Sequence, residues 1–402
     1  MLPVIKLSWA LLVGIALIMV GNGLQTSLLG LRATLEGFPT AATGLVMSAF
    51  YVGFLAGSLT TPKVVESVGH IRVFAAWASM ASAAILLHGL VVDPIAWTGF
   101  RFVTGFCYAG LYVVAESWLN ERATNRTRGQ LLSIYMVVQY VGLAAGHLLL
   151  NLASPAELTL FILTSVVISL ALVPISLTSS PSAPIQTRER LKLSALFTQS
   201  PLGVITCAGA GLTTGALLGM GAVFAEKAGL SVAQISIFMT ALIVGAVCLQ
   251  FPLGRLSDHF ERRRVIVVVN ICAVAFIALS AAALLIGLGS AWTLALIFVV
   301  GGLTMPLYAI GVAYTNDVLR PEQMVAASSS LVLIFGLGAS LGPVGVAAAM
   351  SAMGPVGFYV AIAGVHLALL VYALWRLLRR DPRSDSTLEA PVVRGGTGLR
   401  LQ

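Results

Sequence analysis

The chain reads as a succession of apolar runs of about 20 residues, each long enough to cross about 30 Å of hydrocarbon as a helix. Short clusters of polar and charged residues separate them. Breaker residues and charges divide the chain into twelve predicted spans. The first six cover about 7–30, 40–62, 72–92, 95–118, 129–151 and 157–177. The second six cover about 199–224, 231–254, 265–287, 290–315, 324–349 and 355–377. Helix is the structure that lipid permits, because hydrocarbon offers backbone amides no hydrogen-bond partner. The two-residue alternation of a porin-like barrel is absent from these runs. The pattern predicts an all-α integral membrane protein with an N-terminal six-helix bundle at 1–177 and a C-terminal one at 199–378. A linker at 178–198 opens with Ser/Pro-rich sequence, and its Arg188, Arg190 and Lys192 suit a short amphipathic piece on the membrane surface. A tail at 379–402 lacks periodicity and reads as disordered and cytoplasmic.

Composition excludes a water-soluble chain. Hydrophobic residues make up 58% and charged residues 9%, whereas soluble domains carry roughly 25% charge. The run from Leu7 to Leu29 follows Lys6 as a signal peptide would, but it is too long, lacks an A-x-A site and is followed by many similar segments. It reads as an uncleaved first span. With the N-terminus inside, twenty of the 23 Lys/Arg residues fall on the cytoplasmic side or its helix ends. Arg32 and Lys227 fall outside, and Arg101 falls within a span. The positive-inside rule therefore predicts a bacterial inner-membrane protein with both termini cytoplasmic. The net charge of +8 is a topology signal and gives no support to nucleic-acid binding. Cys107, Cys207, Cys248 and Cys272 are scattered singly in apolar segments, a pattern that predicts no disulfide framework, no metal site and no cofactor.

An internal repeat divides the chain in half. Pro62, Glu66 and Arg72 precede Gly254, Asp258 and Arg264 by 192 positions. Asn120-Glu121 precedes Asn316-Asp317 by 196, and Gly142-x-x-x-Gly146 precedes Gly338-x-x-x-Gly342 by the same offset. Six plus six pseudo-symmetric spans follow.

The charged residues from Gly254 to Arg264 form the better copy of a hairpin that would hold Asp258, Arg262 and Arg263 where two bundles meet. Such groups can pair in one state and separate in another, so they bias a two-state equilibrium. The first copy is worn to Pro62, Glu66, Ser67, Gly69, His70 and Ile71, with Arg72 just beyond. These loops, with Arg101-x-x-Thr104-Gly105 in the fourth span and the glycines before Pro343 in the eleventh, resemble motifs of the major facilitator superfamily. The run from Glu116 to Asn120 is similar to the bacterial YcaD-like subgroup of that family. Glu121 and Arg128, seven residues apart, resemble the gate-bracing pair of sugar-porter-like members. The resemblance implies twelve helices in two bundles and a secondary transporter working by alternating access. Its cytoplasmic gate would be built from Gly254, Asp258, Arg262, Arg263, Glu66, Arg72, Glu121, Arg128 and Asp317. Two departures stand out: Glu261 replaces the usual glycine, and the second loop is stronger than the first.

Polar side chains within spans predict a cavity near the midplane. The candidates are Asn22, Gln25 and Thr26 in span one, Arg101, Tyr108 and Tyr112 in span four, and Gln139 and Tyr140 in span five. Gln250, Tyr308 and Tyr314 are their counterparts in the second half. Arg101 lies roughly 9 Å deep, where it either serves an anion or proton relay or snorkels to the outer headgroups. All fifteen acids map to loops, span ends or the tail. Proton coupling would therefore use Glu116 or Glu121 near the gate, or His147, which alternatively packs between helices. His88-x-x-x-x-Asp93 and Gly338-Ala339-Ser340-Leu341-Gly342 match enzyme-like spacings, but the second sits inside a predicted membrane helix instead of a strand–turn–helix elbow. No catalysis is expected. The expectation is a monomeric carrier of a small organic solute in the lipid bilayer, with protons as a candidate coupling ion. The alternative is a membrane sensor or scaffold that kept the fold and lost transport.

Overall fold

Helices run past the ends of the apolar runs that predict them. The structure, a computed structural model, describes residues 2–122, 128–177 and 193–379, with side chains described from Trp9 onward except at 120–129, 321, 322 and 325. Every regular element among these residues is helical. The first half comprises α1 (Leu2–Leu35), α2 (Thr40–Val68), α3 (His70–Leu90), α4 (Pro94–Arg122), α5 (Arg128–Leu148), α6 (Thr159–Leu170) and α7 (Leu172–Ser176). A short helix α8 (Leu193–Gln199) leads into α9 (Pro201–Lys227), α10 (Val232–His259), α11 (Arg262–Leu285), α12 (Ser290–Thr304), α13 (Leu307–Asp317), α14 (Pro321–Met353) and α15 (Val356–Leu378). Twelve of the resulting units are long and apolar enough to cross a membrane. Most of the linker, Thr178–Lys192, and the tail from Arg380 lie outside the described residues.

Two of the twelve spans are broken, each beside a proline. Pro174 lacks the amide that would bond Leu170, and α6 gives way to α7 at Ala171. Pro306 likewise separates α12 from α13. Elsewhere the helices outlast the hydropathy. The charged hairpin expected at 254–264 is almost wholly helical, and only Phe260 and Glu261 turn between α10 and α11. Hydropathy marks where side chains need lipid, whereas the backbone stays helical through Arg, Lys and Glu, which are good helix formers. Gly254 is therefore an interior helix residue, and the turn that needs glycine is at Gly69, whose φ of 88 joins α2 directly to α3.

The sequence repeat reappears as a repeat of contacts. A methyl on Gly53 would run into the Phe102 carbonyl, and one on Gly245 into the Phe298 carbonyl. Gly105 abuts Phe50 and Gly301 abuts Leu242 in the same way. In each case the residues on α2 and α10 differ by 192 and those on α4 and α12 by 196. The α1–α5 seam obeys the same rule: Gly23 with Leu143, Gly142 with Ala16 and Gly146 with Val20 recur as Gly215 with Ala339, Gly338 with Ala208 and Gly342 with Leu212 on α9 and α14. Small residues allow this approach because membrane helices associate through van der Waals contact of close backbones. Two bundles with equivalent seams result.

The α2–α3 and α10–α11 turns and the C-terminal ends of α4 and α13 share one side of the molecule, here termed the basic face; the other is the distal face. The halves meet along α1–α9, α2–α14 and α5–α10. Among the described residues, the glycine contacts and hydrogen bonds between the halves gather from mid-depth toward the distal face. Gly30 faces Ala222 and Val223, Gly44 faces Ala347 and the Pro343 carbonyl, and Met47 meets Gly219. Asn151, just beyond α5, donates to Ser236 Oγ at 2.7 Å. Gly336 lies against Leu55 near the middle of α14 and α2.

Candidate functional site

Arg262, the first residue of α11, organises the basic face of the second bundle. Its Nε meets Asp317 Oδ2 at 2.6 Å, its Nη2 meets Asp258 Oδ1 at 3.2 Å and its Nη1 donates to Ser257 Oγ at 3.1 Å. One guanidinium thus ties the ends of α10, α11 and α13. The next residue, Arg263, donates from Nε to the Tyr314 hydroxyl at 3.1 Å. Tyr314 is buried and belongs to this charged seam. Arg264 pairs on the surface with Glu261.

The first bundle does the equivalent job differently. Glu66 and Arg72 are exposed and form no ion pair among the described residues. His70, which precedes Arg262 by 192 positions, is buried, and its Nε2 shares a 3.0 Å hydrogen bond with Ser117 Oγ of α4. The worn motif thus keeps its link to the following span through histidine, a substitution that charge counting overlooks. The side chains of Glu121 and Arg128 fall outside those described. Gly254 has open space around it, so a close backbone approach does not explain its presence.

Along α4, Arg101, Tyr108, Tyr112 and Glu116 are spaced at 7, 4 and 4 residues and so share one face. The Tyr112 hydroxyl reaches Met19 Sδ at 2.9 Å and lies beside the Asn22 amide. Tyr108 reaches toward the Ile18 carbonyl at 3.5 Å. Toward the basic face, Tyr135 with its neighbour Gln139, Tyr140 and the exposed Glu116 continue the polar surface. Tyr135 was not among the expected residues, although it lies one helical turn before Gln139. On the other bundle Tyr308 packs on Phe335 at 4.8 Å between ring centres and is near enough to feel the charge of Glu116. Gln250 is half-buried on α10, and Thr26 is half-buried on α1.

Arg101 does not snorkel. It is 2% exposed, lies 4.6 Å over the Phe50 ring and points Nη2 at Met47 Sδ, 3.7 Å away. Among the described residues its Nε and Nη1 have no hydrogen-bond partner, and neither amide atom of the fully buried Gln25 has one. His147, by contrast, is bonded through Nδ1 to Ser27 Oγ at 2.7 Å and is sealed between α1 and α5.

The enzyme-like spacings resolve into helix chemistry. His88 bonds the Ala84 carbonyl and packs against Trp97 and Phe100, while Asp93 caps α4 by accepting from the amides of Ile95 and Ala96. Ser340 donates to the Leu337 carbonyl within its own helix. No group of three or more metal-ligating side chains occurs among the described residues.

Comparison with known proteins agrees with this architecture. The family model of the Major Facilitator Superfamily matches residues 11–236 and 205–400. The uncharacterized MFS-type transporter YcaD of Escherichia fergusonii is 28% identical over 384 residues, covering 95% of this chain and 97% of the relative. YcaD of Salmonella heidelberg is 29% identical over 366 residues, covering 90% and 94%. Among solved structures, the nucleoside transporter NupG superposes with a TM-score of 0.81 at 14% identity, covering 94% of this chain and 100% of that one. A bacterial homolog of the human lysosomal transporter Spinster gives 0.77 at 15% identity, covering 94% and 98%. These two likenesses are of fold.

Proposed function

Because the chain belongs to the major facilitator superfamily and is a secondary membrane transporter of a small solute, we propose that it works by alternating access between its two six-helix bundles, 1–177 and 199–378, as a monomer. In this reading the protein sits in a bacterial inner membrane with both termini and the basic face toward the cytoplasm, as its arginine distribution favours. The single observation that carries the mechanism is the one-sidedness of the glycine contacts and hydrogen bonds between the halves among the described residues. They gather at the distal side, at Gly30, Gly44, Met47 and Asn151, whereas Glu116 nearer the basic face is exposed. A molecule closed outside and open inside would have this pattern. The family and its transporter relatives favour this over a transport-deficient sensor or scaffold.

The gate then consists of the basic-face groups. Arg262 with Asp317 and Asp258 braces the second bundle, Arg263, Glu66 and Arg72 add charge, and Glu121 and Arg128 end one span and begin the next. Closing the cytoplasmic side would bring these helix ends together. The solute would bind between the tyrosines of α4 and Tyr308. Coupling to protons, if used, falls to Glu116, since it is the carboxylate exposed beside the cavity. Counterflow in proteoliposomes tests the reading: preloaded solute from a broad metabolite panel should drive uptake of its labelled form. A folded protein that exchanges none of them overturns it.

A further inference from the structure

Arg101 carries a permanent charge, is 2% exposed, and pairs with no carboxylate among the described residues. A buried cation without a counter-charge is strongly unfavourable unless something else supplies one. Its present neighbours are weak substitutes: the face of Phe50, the Met47 sulfur and the nearby rings of Tyr51 and Tyr108. Two of its nitrogens remain unpartnered.

A second observation points the same way. Helices α1 and α4 run antiparallel, and their register is marked by Tyr108, whose hydroxyl reaches the Ile18 carbonyl and lies beside Gly21. Seven residues along α1 from Ile18 is Gln25, and seven residues back along α4 from Tyr108 is Arg101. Two turns, about 10.5 Å, separate each pair on its helix, so Gln25 and Arg101 reach the same level. Gln25 is 0% exposed, and both ends of its amide are unpartnered. A guanidinium edge and an amide donor at one depth, with no protein acceptor, match the two oxygens of a carboxylate.

We propose that Gln25 and Arg101 form the subsite for a carboxylate of the transported solute, which makes the cargo an organic anion. The proposal rests on the transport reading above and names its substrate class. Access is governed by Met47. Its sulfur accepts from Arg101, and the same side chain packs against Gly219 of the other bundle and near Gly30. Arg101 is thus one side chain behind the seam between the halves, and parting of the distal side withdraws Met47 and uncovers the guanidinium.

The test uses the full chain in detergent and in proteoliposomes. Gln25→Glu supplies the missing carboxylate with little change in size or helix propensity. It should raise Tm by about 2–4 °C or more in the natural background and lower it when combined with Arg101→Met. A shift of the same sign and size in both backgrounds would overturn the shared site. Benzoate, succinate and lactate are then compared with benzamide, succinamide and lactamide, and with chloride as the inorganic alternative. At least one carboxylate should raise Tm where its amide does not, and Arg101→Met should weaken that binding by about 100-fold or more. Equal shifts from the amides, shifts of the same size from chloride, or none from any carboxylate would overturn the assignment. Exchange of neutral or cationic solutes through the natural protein and Arg101→Met alike would also overturn it, while leaving the transport reading standing. Loss of all exchange by folded natural protein would remove the transport reading itself.

Discussion

Asp317, more than Asp258, should be the energetic partner of Arg262. Both acids touch the same guanidinium, but Asp317 does so at 2.6 Å with 49% side-chain exposure and Asp258 at 3.2 Å with 66%; Arg262 itself is 21% exposed. Hydrogen bonds to charged groups contribute about 1.5–3 kcal/mol when shielded, and exposed ion pairs about 0.2–1 kcal/mol. Half-exposure of Asp317 discounts its pairing to about 1 kcal/mol, and solvent around Asp258 reduces its share to about 0.3 kcal/mol. A double-mutant cycle of Arg262→Gln with Asp317→Asn, followed by unfolding of the purified protein in detergent, reads the coupling directly. The Arg262→Gln and Asp258→Asn cycle is its reference. Coupling to Asp317 should be about three times the larger and should shrink in high salt, where partly exposed charges are screened. A coupling to Asp258 that equals or exceeds the one to Asp317 would refute the reasoning, because exposure would then not be what sets the strength.

Other outcomes follow from the same geometry. Gly245→Val should cost about 3 kcal/mol or more, since the added carbons meet the Phe298 backbone and cannot be relieved by a rotamer change; Gly254→Ala, in open helical space, should be neutral or stabilising by about 0.5–1 kcal/mol. Monodispersity and Tm of the two variants check the pair. Ser27→Ala should destabilise by about 1–3 kcal/mol by stripping His147 of its buried partner, measured by the same melt, with exchange retained at temperatures where the variant is folded. Cysteines introduced as Asn151→Cys and Ser236→Cys should cross-link with a short thiol reagent and abolish counterflow, which returns on reversal of the link. Glu116→Gln should leave counterflow intact but remove any dependence of net uptake on a proton gradient; unchanged gradient-driven uptake would take Glu116 out of the coupling proposal.

Much of the fold was legible in the chain because lipid imposes a simple rule: each crossing needs about 20 apolar residues in a helix. The offsets of 192 and 196 even identified in advance which glycines would stand at equivalent seams, as Gly142 and Gly146 do with Gly338 and Gly342. What hydropathy could not show was where a helix stops, since helical hydrogen bonding continues through charged residues. The stretch from Gly254 to His259 therefore read as loop and is helix. The proline breaks at Ala171 and Met305 were equally unmarked, because proline elsewhere, at Pro62, Pro252 and Pro343, is absorbed inside continuous helices.

The residues of the site divide along the same line. By itself the sequence determined which chemistry is available: one intramembrane arginine, a few amides and tyrosines, acids only near the ends of spans, and a duplicated scaffold to carry them. Tertiary structure alone decided who meets whom. It paired Arg262 with Asp317, 55 residues away, set Tyr314 against Arg263, bound His147 to Ser27, and left two nitrogens of Arg101 and both amide atoms of Gln25 buried without hydrogen-bond partners among the described residues. The physical reason is that helical periodicity fixes a residue's direction on its own helix, whereas partnership depends on the register between helices. That register is set by where backbones can touch, and in this chain small residues at the crossings set it.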